Sequence, residues 1–162
     1  MSAPSLKEIL KVESQIQDAW RQILQNAGVT PTQLFIQFLA ASSVTPRIEI
    51  NLVRANATGH YSEVLPGTFM NSAWEGELVS RIVTRRNVNG DQHDELLAIC
   101  RREAAYFLDS FNANVLPWHA MSQMKENGTH RLIDADRDED ITELTHKVVF
   151  SVRKNAWPAS EP

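Results

Sequence analysis

Residues 127–152 read NGTHRLIDADRDEDITELTHKVVFSV, and the second half of this stretch decides the fold. Leu144, His146, Val148, Phe150 and Val152 fall on one side, and Thr145, Lys147, Val149, Ser151 and Arg153 on the other. A period of two sustained over that length is the pattern of a strand with one buried face. Full burial of each aliphatic or aromatic side chain on that face contributes roughly 1.5–3 kcal/mol, so the strand is expected in the middle of a sheet. The acidic run Asp134–Asp140 that precedes it cannot enter a core without partners. It is expected to cap a hairpin whose first arm is Met121–Ile133.

Working outward from the hairpin, the chain supplies the rest of a small α+β domain. Leu6, Ile9, Leu10, Ile16, Trp20, Ile23, Leu24 and Ala27 recur at helical spacing after a capping box opened by Ser5, and Gly28 is a stop signal. The spacing predicts a helix over 6–26, whose apolar stripe packs either on this domain's own sheet, the reading favoured here, or on a neighbouring subunit. Gln33–Leu39 is rich in residues that suit a strand, with a short helix as the alternative, and Ser42–Pro46 reads as a turn. Ile48, Ile50 and Leu52 alternate with Glu49, Asn51 and Val53, which gives a second strand over Arg47–Val53.

Ala55–Ala73 contains Gly59, Pro66 and Gly67 and shows no period, so it reads as a long irregular connection. Loops longer than about 12–15 residues tend to be functional or disordered. With His60, Tyr61, Phe69 and Met70 in it, this one is a candidate partner-binding segment. Leu78–Thr84 is a further strand of mixed facing, followed by a turn at Arg85–Gly90. A second helix starts near Asp91, with Leu96, Leu97, Cys100, Ala104, Phe107, Leu108 and Phe111 as its stripe. The tail 155–162 is expected to fray. The order of elements predicts a single α+β domain over 1–162, with a mostly antiparallel sheet flanked by the N-terminal helix and the second helix.

A chain of 162 residues, 43% hydrophobic and 22% charged, has the make-up of an ordinary globular domain with a real core. The formal charge of −4 argues against wrapping nucleic acid by bulk attraction, and does not exclude a protein that lets nucleic acid pass by without sticking. Cys100 is the one cysteine, so no intrachain disulfide can form. The longest apolar run, around Leu34–Ala41, is too short and too polar to span a bilayer, and no membrane partner is expected.

Tests for catalytic or metal chemistry find no machinery. The aspartates at 134, 136, 138 and 140 resemble a calcium loop only superficially, because Glu139 and Thr145 stand where glycine and glutamate are required. His60, His93, His119, His130 and His146 form no HExxH pattern. His130 and His146 are placed to face each other across the hairpin, yet two ligands are too few for a metal site. Cys100 lies on an apolar helical stripe, where a thiol behaves as a small hydrophobe. No catalytic, cofactor-binding or metal residue is assigned, and no cofactor is expected. The remaining candidates are charged. Arg81, Arg85, Arg86, Arg101 and Arg102 make a basic ledge, and Asp134, Asp136 and Asp138 lie in an acidic turn. Arginine's planar fork suits carboxylates, so the two stretches could join copies of the chain head to tail, an arrangement that closes into a ring when the rotation allows.

Several segments, taken in order, resemble the tail terminator and related neck or tail-completion proteins of long-tailed bacteriophages. They are the N-terminal helix, Thr45–Ile50, Trp74–Leu78 with Ile82–Arg85, the helix His93–Phe111, and the hairpin Gly128–Asp134 with Thr142–Val152. The resemblance spans roughly residues 5–157 and rests on soft motifs. It implies a virion protein, assembled in the host cytoplasm, that forms a ring of commonly six subunits at the head–tail junction. Such a ring would end the tail tube, meet the head connector or neck proteins, and let DNA through its opening without sequence-specific binding. It implies no catalytic residues. Arg81, Arg85, Arg86, Asp134, Asp136, Asp138, His60, Tyr61 and Phe69 are then the expected subunit or partner contacts. The alternatives are a neighbouring neck, head-closure or minor tail protein, a binding module for another partner, or a small metal-dependent hydrolase using the histidines with Asp134 or Asp136.

Overall fold

The computed structural model describes residues 6–38, 44–63, 70–86, 90–114 and 119–153. In chain order these form helix α1 (Leu6–Asn26), a 3-10 turn (Pro31–Gln33) and strands β1 (Leu34–Phe35), β2 (Arg47–Glu63) and β3 (Met70–Arg85). Helix α2 (Gly90–Asn114) and strands β4 (His119–Asp134) and β5 (Glu139–Arg153) follow. The strands make one sheet in the order β1-β2-β3-β5-β4. Only β1 with β2 is parallel, and the other neighbours are antiparallel. The protein is thus the α+β domain with a mostly antiparallel sheet that its sequence predicts.

Strand β5 lies between β3 and β4. Its residues Leu144, His146, Val148 and Phe150 are buried, as the alternation requires. Ile48 and Ile50 of β2 and Leu78 and Ile82 of β3 join them in one apolar layer. The two helices cover that layer. From α1 come Ile16, Trp20 and Leu24, and from α2 Cys100, Phe107 and Phe111, all buried in the same cluster. Trp20 anchors α1 to its own sheet: its indole Nε1–H donates to Ser80 Oγ at 2.8 Å, and Phe107 meets the ring edge-on with centroids 5.2 Å apart. The α1 stripe therefore packs within the chain over the turns that carry Ile16, Trp20 and Leu24.

Helix α1 ends as its glycine predicts. Gly28 has φ 111°, its N–H donates to Gln25 O, and the next N–H, from Val29, donates to Leu24 O. These two bonds satisfy carbonyls that the helix leaves open, while Val29 and Leu24 meet in the core. The hairpin turn uses similar chemistry. Asp134 Oδ1 accepts from the Arg137 N–H at 3.1 Å, and Asp138 takes the left-handed conformation, φ 53°, that aspartate tolerates better than most residues.

Two expectations need correction. Within Ala55–Ala73, the described residues are strand and not irregular loop: β2 continues to Glu63 and β3 begins at Met70, with Asn56, Ala57, Tyr61, Ser62 and Glu63 paired to Glu75, Trp74, Ser72, Asn71 and Met70. Register shifts between Val53 and Asn56 and between Ala57 and Tyr61 explain the missing period, because each extra residue flips the alternation. Gln33–Leu39 is a strand only at Leu34–Phe35, after the 3-10 turn started by Pro31. Leu39, Phe69 and the tail 155–162 lie outside the described residues.

Candidate interaction surface

The helices occupy one face of the sheet, and the other face carries the charge. On β2, Arg47 and Glu49 alternate with the core residues Ile48 and Ile50, so they project to the opposite side. Register sets Glu49 beside Arg81 of β3, and Arg81 beside Glu143 of β5. The side chains form a line of alternating sign. Arg137 Nε lies 3.5 Å from Glu139, Arg47 Nη1 2.8 Å from Glu139 and Arg47 Nε 2.7 Å from Glu49. Arg81 Nη1 then lies 3.5 Å from Glu49 and Nη2 2.9 Å from Glu143.

Arg47 and Glu49 are 1% and 0% exposed, so this is a buried network despite its polar sequence. Burial works against the Arg47 charge. Hydrogen bonds and attraction to Glu139 and Glu49 outweigh it and hold the pKa above the ordinary arginine value. The segment after β1 helps to enclose this end of the face. The Phe38 ring lies 4.1 Å from the Arg81 guanidinium carbon, and the Val44 carbonyl accepts from Arg47 Nη1 at 3.0 Å. Chemically the network is closed, because each of its carboxylates already holds an arginine. Its work is to fix the register of β2, β3 and β5.

The predicted contact residues divide between this network and the end of the sheet. Arg81 belongs to the network and is engaged within its own chain. Arg85 pairs in register with Glu139, and the Arg86 N–H donates to Asp138 O at 2.8 Å. Arg85 and Arg86 of the basic ledge therefore adjoin the acidic turn at one end of one subunit, while Arg101 and Arg102 lie apart on α2. Asp136 and Asp138 are exposed there, and Asp134 is half-buried. His60 and Tyr61 lie far along β2, toward the opposite end of the sheet, and Phe69 is outside the described residues.

The histidines also separate. His146 sits opposite Glu126, and His130 opposite Glu143, so the two do not face each other across the hairpin. The bulge between Glu126 and Gly128 contributes to that offset. His146 is buried 6.0 Å from the Trp20 ring, and its Nδ1 has no hydrogen-bond partner. Burial, with a smaller contribution from Arg101, lowers its pKa to about 4 against the pull of Glu126. His93 does more than start a helix. It is buried, with Nδ1 2.8 Å from Thr84 Oγ1 and Nε2 2.6 Å from Thr142 Oγ1, and so it ties α2 to β3 and β5. Burial lowers its pKa as well, helped by Arg131. The buried Cys100 thiol is pushed up to about 12, the opposite of an activated nucleophile. Among the described residues, no three His, Cys, Asp or Glu gather closely enough to hold a metal ion.

What remains open is a margin. Every residue of β4 from Lys125 to Ile133 is exposed, although the facing residues of β5 alternate between buried and half-buried. Leu132 and Ile133, 38% and 57% exposed, lie at its end. Arg101 of α2 touches this strand, donating to Glu126 at 2.8 Å and Thr129 at 3.1 Å, without burying it. A shallow groove of about 460 Å³ crosses the charged face from Phe38 past Val53, Val79 and Thr145 to Asn127–His130.

The sequence reading missed Arg47, Glu49 and Glu139 because the polar members of an alternating strand read as solvent-facing. A signal was present in Leu78–Thr84, where Val79 and Val83 are apolar on the same side as Arg81, so that side could not be wholly wet.

No protein-family model matches this chain, and no curated protein sequence matches it. Among solved structures, it is similar in shape to a chain of a structure described as the virion of a native gene transfer agent (GTA) particle. That likeness has a TM-score of 0.47 and 12% sequence identity, over 83% of this chain and 93% of the other.

Proposed function

We propose that this chain is a structural virion protein of a long-tailed phage or a related particle. Its copies assemble into a ring at the head–tail junction, ending the tail tube and joining it to the head. The reading starts from the ordered run of segments, Thr45–Ile50 through Thr142–Val152, that resembles tail terminator and neck proteins. The observation that carries it is the division of the sheet into a closed interior and an open margin. The titratable groups of the interior are paired or buried in structural roles, while β4 is exposed from Lys125 to Ile133. A subunit of this kind acts through what it touches. The net charge of −4 suits an opening that lets DNA pass without holding it. The mixed-charge end formed by Arg85, Arg86, Asp134, Asp136 and Asp138 is the proposed rim toward a neighbour, the tail tube protein or the head connector.

The test has two parts. The mass of the purified chain is measured in solution across a range of concentrations, and binding to isolated tail tubes is imaged. A discrete closed oligomer that sits on one end of the tube is expected. A strict monomer that never associates with tube ends would remove the proposal.

A further inference from the structure

We propose that copies of this chain join edge to edge, the free side of β4 in one subunit adding to the free side of β2 in the next. This inference rests on the ring reading and names the surface that would build the ring. Among the described residues, no strand pairs with the outer side of β4, and the outer side of β2 is paired only at Ile48 and Glu49, by β1. The Leu52 N–H is satisfied by Gln17 Oε1 of α1 at 2.9 Å, and beyond it no strand among the described residues pairs with the outer row of β2. A strand edge offers a row of N–H and C=O groups that bind strongly to another strand, and natural proteins keep such edges short or covered. Here β4 is 16 residues long, exposed on both faces from Lys125 to Ile133, and carries the exposed apolar pair Leu132 and Ile133.

Strand direction fits β2 of a second copy as the occupant. β3 is antiparallel to β2, β5 to β3, and β4 to β5, so β4 runs opposite to β2. A second copy set beside the first, the same way up, places its β2 antiparallel to the first copy's β4. The up-down alternation and the helix-covered side both continue across the junction. The two edges lie at opposite ends of the strand order, so the contact is head to tail, the kind that makes a ring where the rotation between copies closes. The bulges on β2 and β4 break the outer rows into short segments. They limit pairing to a particular register and guard against indefinite strand addition.

The test uses the bulges. Thr58 falls between the pairs Ala57↔Trp74 and Tyr61↔Ser72, and Asn127 between Glu126↔His146 and Gly128↔Thr145. Proline at either position removes a backbone N–H from an edge strand at a point where the inner ladder is already interrupted. Sedimentation of Thr58→Pro and Asn127→Pro, with melting curves to verify folding, should show at least tenfold weaker assembly for each. A one-to-one mixture should form heterodimers and nothing larger, since each variant retains the edge that the other has lost. If the native chain forms rings and both folded variants form them equally well, edge pairing is wrong and the ring reading stands. If Thr58→Pro alone dimerises as tightly as the native chain assembles, pairing is β4 with β4, and the head-to-tail form is wrong. A native chain that never assembles overturns the ring reading itself, and this inference with it. If proline unfolds either variant, hydrogen exchange in the native chain decides. Assembly should slow exchange in both 54–63 and 119–134, and slowing in neither would overturn the inference.

Discussion

β4 and β5 are the two arms of one hairpin, paired almost residue for residue, yet they meet opposite fates. Leu144 of β5 is 0% exposed and Leu132 of β4 is 38% exposed, two leucines on adjacent strands. The difference comes from position in the sheet. β5 has neighbours on both sides and helices above it, while β4 has one strand neighbour among the described residues, packs Met121 into the core at its start, and is exposed from Lys125 to Ile133, where Arg101 reaches it. One arm is enclosed in the core and the other lies open along its outer half. A similar contrast separates the two faces of the sheet, one closed by apolar packing around Trp20 and the other by the ion pairs of Arg47.

Substitutions can break or sharpen these comparisons. The largest effect is expected at Arg47, since Arg47→Ala strands the buried carboxylates of Glu49 and Glu139. Removing one partner of a buried pair costs about 3–5 kcal/mol, measurable by urea unfolding. A loss below about 1 kcal/mol, the scale of an exposed pair, would mean that water reaches this face. Next come the two leucines. Leu144→Ala should cost about 2–5 kcal/mol, while Leu132→Ala should leave the monomer within about 0.5 kcal/mol of the native chain. Equal costs would erase the distinction between the arms.

Acid tests the core around His146. Its folded pKa of about 4 lies below its ordinary 6.5, so between those values the unfolded chain binds more protons. Stability is therefore full above about pH 6.5 and falls toward pH 4, by up to about 3 kcal/mol from this residue. His93, lowered in the same direction, adds to the slope. His146→Leu should flatten part of the pH dependence of the melting temperature, and an unchanged slope would assign it elsewhere. A smaller loss is expected at the end of α1, where Gly28→Ala forces a side chain onto φ 111° and should cost about 1 kcal/mol.

Much of the fold is legible because its signals are local. The α1 stripe at Ile16, Trp20 and Leu24, the Gly28 stop and the alternation of β5 from Leu144 to Phe150 each lie within one helix, one turn or one strand, and each is observed where the pattern places it. The segment Ala55–Ala73 was misread because bulges in β2 erase a period that pairing with β3 supplies. The ion network was hidden because Arg47, Glu49 and Glu139 are far apart in sequence and polar in type. Only the strand order reveals that they share a buried face. Of the contact residues, Arg85, Arg86 and the acidic turn were found as charge runs, but their adjacency depends on β3 lying beside β5. The open edge of β4 has no sequence signal of its own, because being outermost is a property of the sheet.

The most direct test of the account is the mass of the native chain in solution, measured by sedimentation from dilute to concentrated samples in low and moderate salt. The account predicts one closed assembly of fixed subunit number, with no larger species appearing as concentration rises. A single-subunit mass at every concentration would contradict it.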